Sequence, residues 1–154
     1  LRLTPYEANF IGTAYAGPFS SAAQTLMSAP FCAALAWQYG TVGYQGLRNF
    51  DDRPVLDLVK KTKVIADESR KKYEPKMRVT LANGKVLECE GAAGDSNYRL
   101  TWEAAQRMAH QLGAEVDVPE ATVKQLIADV SAIEDAPSTA ALIATVVKAT
   151  TGRS

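Results

Sequence analysis

Between Glu7 and Arg48 the chain carries no Asp, Glu, Lys or Arg, although those residues make up 22% of the whole. Such residues keep ordinary protein surface solvated, so a segment this long without them belongs against something. It can lie inside its own domain, under a neighbouring domain or around a ligand, and the function turns on which. A membrane span is excluded first. The apolar run Ala29-Pro30-Phe31-Cys32-Ala33-Ala34-Leu35-Ala36-Trp37 falls well short of the roughly 20 residues that cross a bilayer, and it reads as a core helix. The opening Leu1-Arg2-Leu3-Thr4 has neither an initiator Met nor a basic region followed by an apolar one. No signal peptide is expected there, and the opening looks cut from a longer polypeptide.

With 154 residues and 47% hydrophobic content, the chain suits one ordinary soluble domain, or a smaller one with a helical appendage. Lys plus Arg and Asp plus Glu balance at 17 each, so no net field favours nucleic acid or anionic lipid as a partner. The basic groups Lys60, Lys61, Lys63 and Arg70, Lys71, Lys72 are diluted by Asp57, Asp67, Glu68 and Glu74 and read as a solvated face. Cys32 and Cys89 are expected to be small buried hydrophobes of a reducing compartment.

The clearest local signal is a hairpin from Lys76 to Glu90. A two-residue turn at Asn83-Gly84 would pair Val79 with Glu88 and mix carboxylates into the face that carries Met77, Val79 and Leu81. A three-residue loop of Ala82, Asn83 and Gly84, closed by a left-handed glycine, instead sets Val79 against Leu87, Met77 against Cys89 and Arg78 against Glu88. That register makes one face apolar and is the one expected. Further strands are expected at Thr62 to Asp67 and over Leu1 to Tyr6, and a short helix over Pro54 to Lys61 with Pro in its first turn. Ser20 and Ser21 can cap a helix running towards Gln38, which Pro30 should start, kink or split, and Gly40 and Gly43 mark its end.

Past Gly94 the apolar period becomes helical. Thr101 caps a helix through Leu112, with Leu100 placed to staple it and Gly113 to terminate it. A second helix after Pro119 carries Val123, Leu126, Ile127, Val130 and Ile133, and a third after Pro137 and Ser138 carries Leu142, Ile143, Val146 and Val147. The expected fold is therefore α+β: an antiparallel sheet packed with helices over residues 1–99, followed by a three-helix segment over 100–154.

Chemistry-bearing motifs are few. His110 is the one histidine, on the polar side near a helix C-terminus, and neither Cys stands at a ligand-like spacing from it, so no metal is expected. The glycines lack the lysine of a phosphate loop or the placement of a serine elbow. The pairs Asp51-Asp52, Glu88/Glu90 and Glu134-Asp135 lie beside charged or turn residues, where a carboxyl stays hydrated and is unsuited to general acid work. What remains is the uncharged loop Gly12 to Ser21, with hydroxyls at Thr13, Tyr15, Ser20 and Ser21 leading into a helix N-terminus. Hydroxyls and helix-end amides together suit the carboxylate groups of a ligand; a packed loop with a serine cap is the alternative.

The order of Ser20-Ser21, Ser28-Ala29-Pro30-Phe31-Cys32-Ala33-Ala34-Leu35-Ala36, Val79-Thr80-Leu81-Ala82-Asn83-Gly84-Lys85-Val86-Leu87-Glu88, Asn97-Tyr98-Arg99-Leu100-Thr101 and Ile133-Glu134-Asp135 resembles the C-terminal part of the MmgE/PrpD family. That family includes 2-methylcitrate dehydratase, cis-aconitate decarboxylase and iminodisuccinate epimerase. The resemblance spans almost the whole chain in short pieces. It implies a cofactor-independent, metal-free lyase or isomerase for small di- or tricarboxylates, in which a large N-terminal helical domain carries most catalytic groups and a smaller α+β lid closes the cleft. Residues 1–99 would be the lid and 100–154 the segment returning to the helical domain of the same full-length chain, so no catalytic residue is expected here. Tyr15 would match a lid tyrosine facing the cleft. The resemblance further implies a homodimer and a cytoplasmic location. Leu26-Met27 stands where relatives commonly have Gln-Phe, and the Lys-Pro-Tyr-Pro segment expected before such a lid is not in this sequence. From another class, a noncatalytic protein-interaction or assembly module would also account for the uncharged segment.

Overall fold

The computed structural model describes residues 1–91 and 100–151, which leaves Gly94 and the Asn97-Tyr98-Arg99 part of the family-like motif outside the described residues. The chain divides into two units, Leu1–Arg99 and Leu100–Ser154. The fold is α+β, with a four-stranded sheet packed with helices in the first unit and three helices in the second.

In the first unit, β1 (Arg2–Leu3) is followed at once by α1 (Pro5–Ala8), so the expected strand ends before Tyr6. Thr4 and Glu7 form a capping box and Pro5 occupies the first turn, a local helix signal stronger than the strand pattern. The expected long helix is split into α2 (Ala22–Met27), capped by Ser21, and α3 (Ala29–Tyr39), capped by Ser28 with Pro30 in its first turn. Gly40 closes α3 with φ of 75°, a left-handed conformation that favours glycine. Helix α4 (Tyr44–Arg48) follows, and α5 (Arg53–Lys61) is capped by Asp52. Phe31, Ala34 and Leu35 of α3 interlock with Val55 and Val59 of α5, and Phe19, Leu47, Leu56 and Leu58 pack around them. Each large side chain of this core contributes about 1.5–3 kcal/mol of burial.

The sheet order is β2-β1-β3-β4, with β2 at Ile65–Ala66, β3 at Lys76–Thr80 and β4 at Val86–Glu90. The hairpin has the expected three-residue loop: Met77 faces Cys89, Arg78 faces Glu88 and Val79 faces Leu87. Gly84 adopts φ of 82° and its N–H donates to Leu81 O at 2.9 Å. The sheet is mixed, however, and not wholly antiparallel, because β1 and β2 run parallel. Parallel neighbours need a long crossover, and the helices between Leu3 and Ile65 supply it. Strand β4 is exposed along its length, and Cys89 with it; only Cys32 is partly buried, which corrects the expectation that both are buried.

The second unit comprises α6 (Trp102–Glu115), α7 (Glu120–Ser131) and α8 (Ala140–Thr150). Thr101 caps α6 as expected, through Ala104 N at 3.2 Å, while Leu100 is exposed. Gly113 does not end α6. It is buried inside the helix, where an added Cβ would lie 2.5 Å from Val123 Cγ2, so its role is to let α6 and α7 approach closely. Helices α7 and α8 are tied by Thr145 Oγ1 donating to Asp129 Oδ2 at 2.5 Å. That bond, with a second from Gln125, holds the Asp129 carboxyl below its ordinary range. Ile143, Val146 and Val147 of α8 are exposed.

Candidate functional site

The charge-free stretch is only partly wrapped by its own fold. Phe31, Ala34 and Leu35 are buried, whereas Phe10, Ile11, Leu26, Met27, Trp37, Tyr39 and Val42 are exposed, Ile11 at 88%. Among these lies an open cup of about 600 Å3, lined by Phe10, Ile11, Gly12, Tyr15, Ala23, Gln24 and Met27. A smaller cleft of about 300 Å3 adjoins it across Phe10, lined by Leu3, Tyr6, Glu7, Phe10, Thr13, Tyr73 and Pro75.

The junction of α2 and α3 positions the cup, and it does so with hydroxyls in place of ions. Ser28 is fully buried; its Oγ accepts from Phe31 N at 3.1 Å and donates to Tyr15 O at 2.5 Å. Thr25 is equally buried and its hydroxyl donates to Leu47 O at 2.6 Å, tying α2 to α4. Ala29 N donates to Thr13 O at 2.9 Å, so adjacent residues hold two carbonyls of the loop. A ladder of aromatic rings runs beside them: Tyr15 meets Phe19 edge-on at 5.3 Å between centroids, and Phe19 meets Phe31 at 4.9 Å.

The four residues expected to bind substrate share this loop but not one wall. Tyr15 lines the cup, while Thr13 lines the adjoining cleft. Ser20 and Ser21 act through Gln24: Ser20 N and Oγ donate to Gln24 Oε1 at 2.7 and 3.2 Å, and Ser21 Oγ accepts from Gln24 N at 3.4 Å. The Tyr15 hydroxyl donates to Pro18 O. These polar groups therefore serve the loop itself, and the cup presents mainly apolar wall. It can exclude water or receive an apolar group. The adjoining cleft contains Glu7, whose carboxylate accepts from Thr4 Oγ1 at 2.7 Å, Tyr73 N at 2.9 Å and Thr4 N at 3.2 Å. Burial pushes this carboxyl up, but the hydrogen bonds from Thr4 and Tyr73 and the charge of Lys72 outweigh it and hold Glu7 below its ordinary range. Phe10, Ile11 and Met27 were not foreseen as lining residues; their apolar character inside an ion-free stretch is the signal that could have found them.

Several other titratable groups have structural partners. His110 Nδ1 lies 3.2 Å from Glu120 Oε2, and that contact leads the interactions that lower the Glu120 carboxyl. Asp52 caps α5 and accepts from Tyr39 Oη at 2.7 Å, a bond that pushes the phenol upward. Glu88 and Glu90 pair with Lys76, Glu88 also with Arg78 and Glu90 with Arg70. Among the described residues, His, Cys, Asp and Glu do not gather in threes as metal ligands would, and no helix is long and apolar enough to cross a membrane. Compared with protein-family models, curated proteins and solved structures, the chain finds no match in any of the three.

Proposed function

We propose that the chain is the C-terminal lid region of a cofactor-independent lyase or isomerase of the MmgE/PrpD type, acting on small di- or tricarboxylates. The observation that carries this reading is the half-wrapped ion-free stretch, with an apolar flank and an open cup beside Tyr15. Such a surface suits closure over a partner region, here the N-terminal helical domain of the same full-length chain. In this reading the bases and acids lie in that domain and abstract a proton next to a carboxylate, followed by loss of water or carbon dioxide or by reprotonation. The lid excludes water and brings the loop of Thr13, Tyr15, Ser20 and Ser21 to the substrate. The complete protein is then a cytoplasmic homodimer.

The test is the full-length reading frame. A helical region of roughly 250 residues rich in His and Lys upstream, and turnover of 2-methylcitrate, cis-aconitate or iminodisuccinate by the complete protein but not by the 154-residue chain, are expected. An independent start codon near Leu1, or turnover by this chain alone, overturns the reading. The internal engagement of the Tyr15, Ser20 and Ser21 side chains favours a second reading, a noncatalytic assembly module whose apolar cup docks a protein. The upstream reading frame separates the two, and where the complete protein turns over one of these acids, Tyr15→Phe and Ser21→Ala test the loop. Unchanged substrate affinity and turnover in both variants remove the loop from any active site.

A further inference from the structure

We propose that Ser28 is a positioning residue, a buried latch that makes the Tyr15 loop and the start of α3 move as one body. Hydrogen bonds from two helices and the loop converge on this residue. Its N–H donates to Gln24 O and Thr25 O, both at 3.2 Å, closing α2; its Oγ accepts from Phe31 N at 3.1 Å, opening α3; and the same Oγ donates to Tyr15 O at 2.5 Å. A hydroxyl is the smallest side chain able to accept from one amide and donate to one carbonyl together. Because Ser28 and Phe31 are both fully buried, loss of the hydroxyl leaves the Phe31 amide without a partner. The neighbouring Ala29 N to Thr13 O bond adds a second tie to the same loop. The wall of the cup that Tyr15 forms is therefore set from α3, whose inner face is core, and not by the loop alone.

The inference stands apart from the lid reading and rests on it only for its enzymatic consequence. Native-state hydrogen exchange on the complete protein tests it, comparing Ser28→Ala, Ser28→Thr and Thr25→Val. Thr25 is the control, since its hydroxyl is equally buried and equally bonded but reaches Leu47 O and Ala22 O, not the loop. In Ser28→Ala the amides of Thr13, Tyr15 and Ala29 exchange roughly tenfold faster relative to those of α5, the effect of one lost hydrogen bond. Ser28→Thr retains the hydroxyl and is expected to restore protection, and Thr25→Val to leave the loop protected. Loop exchange that rises no more in Ser28→Ala than in Thr25→Val overturns the latch. Should Ser28→Ala fail to fold, Ser28→Cys, a weaker donor and acceptor, carries the same comparison. In an active complete enzyme, Ser28→Ala raises KM roughly tenfold with a smaller change in kcat, a split that Thr25→Val does not show; an unchanged KM removes the latch from the site. A wild-type protein that turns over no carboxylate sinks the lid reading and leaves the exchange result to decide the latch by itself.

Discussion

Gly113 acts through a contact with a distant residue, Val123, and Asp67 mainly through a local one, with Ser69 two residues on. At Gly113, helix propensity favours Ala by about 1 kcal/mol, but the added methyl would meet Val123 Cγ2 at 2.5 Å. Overpacking of this kind costs about 1–3 kcal/mol, so it decides the sign. Gly113→Ala is expected to lower the urea midpoint of the second unit, and Val123→Ala in the same chain to recover part of the loss. Asp67 is held at about 2, first by the Ser69 hydroxyl at 2.6 Å, then by the Ser69 amide and by Arg2. Its folded pKa lies below the ordinary value of 3.8, so the proton binds the unfolded chain more readily. The stabilising contribution is complete above about pH 4 and is lost as pH falls towards about 2. Ser69→Ala should move the carboxyl back towards its ordinary value in an NMR titration; an unmoved titration curve would contradict this cause.

At the scale of elements, the hairpin was readable because two local requirements agree. The period-two pattern asks for one apolar face, and Asn83-Gly84 offers a left-handed residue at the end of the loop; only the three-residue loop satisfies both. Gly84→Ala forces a Cβ into a backbone with φ of 82° but meets no atom within 4 Å, so the cost is conformational alone, about 1–2 kcal/mol. Gly84→Asn should cost less, because Asn tolerates that region. Denaturation midpoints ranked Gly, Asn, Ala check the loop type, and equal midpoints argue against it. The helix caps at Ser21 and Thr101 have the same local legibility, since a cap is a bond between a side chain and the amide two or three residues on, whereas Asp52, expected only as a hydrated carboxylate, caps α5. The strand expected over Leu1 to Tyr6 yields beyond Leu3 to a competing local signal, the Thr4 and Glu7 capping box.

For the molecule as a whole, the α3 and α5 contact carries the first unit. Phe31→Ala should remove about 3–5 kcal/mol, a large share of a total that is typically 5–15 kcal/mol, and be visible as a collapsed melting transition. Ile11→Lys should behave oppositely. Ile11 is 88% exposed, so the chain's own stability stays within about 0.5 kcal/mol, while under the proposed lid reading closure over the helical domain weakens. A variant that loses stability in the isolated chain would argue against an outward-facing Ile11. The chain's amino acids by themselves determined the α+β class, the hairpin register, the caps and the three C-terminal helices, because each depends on neighbours within a few residues or on a repeating period. Only the tertiary structure decided that β1 and β2 run parallel, that Gly113 serves helix packing, and that the ion-free stretch divides into a buried α3 face and an open cup. Those outcomes depend on which distant surfaces meet. A charge-free segment states that it must be covered, and only the packing of α3 against α5 says which side the chain covers itself.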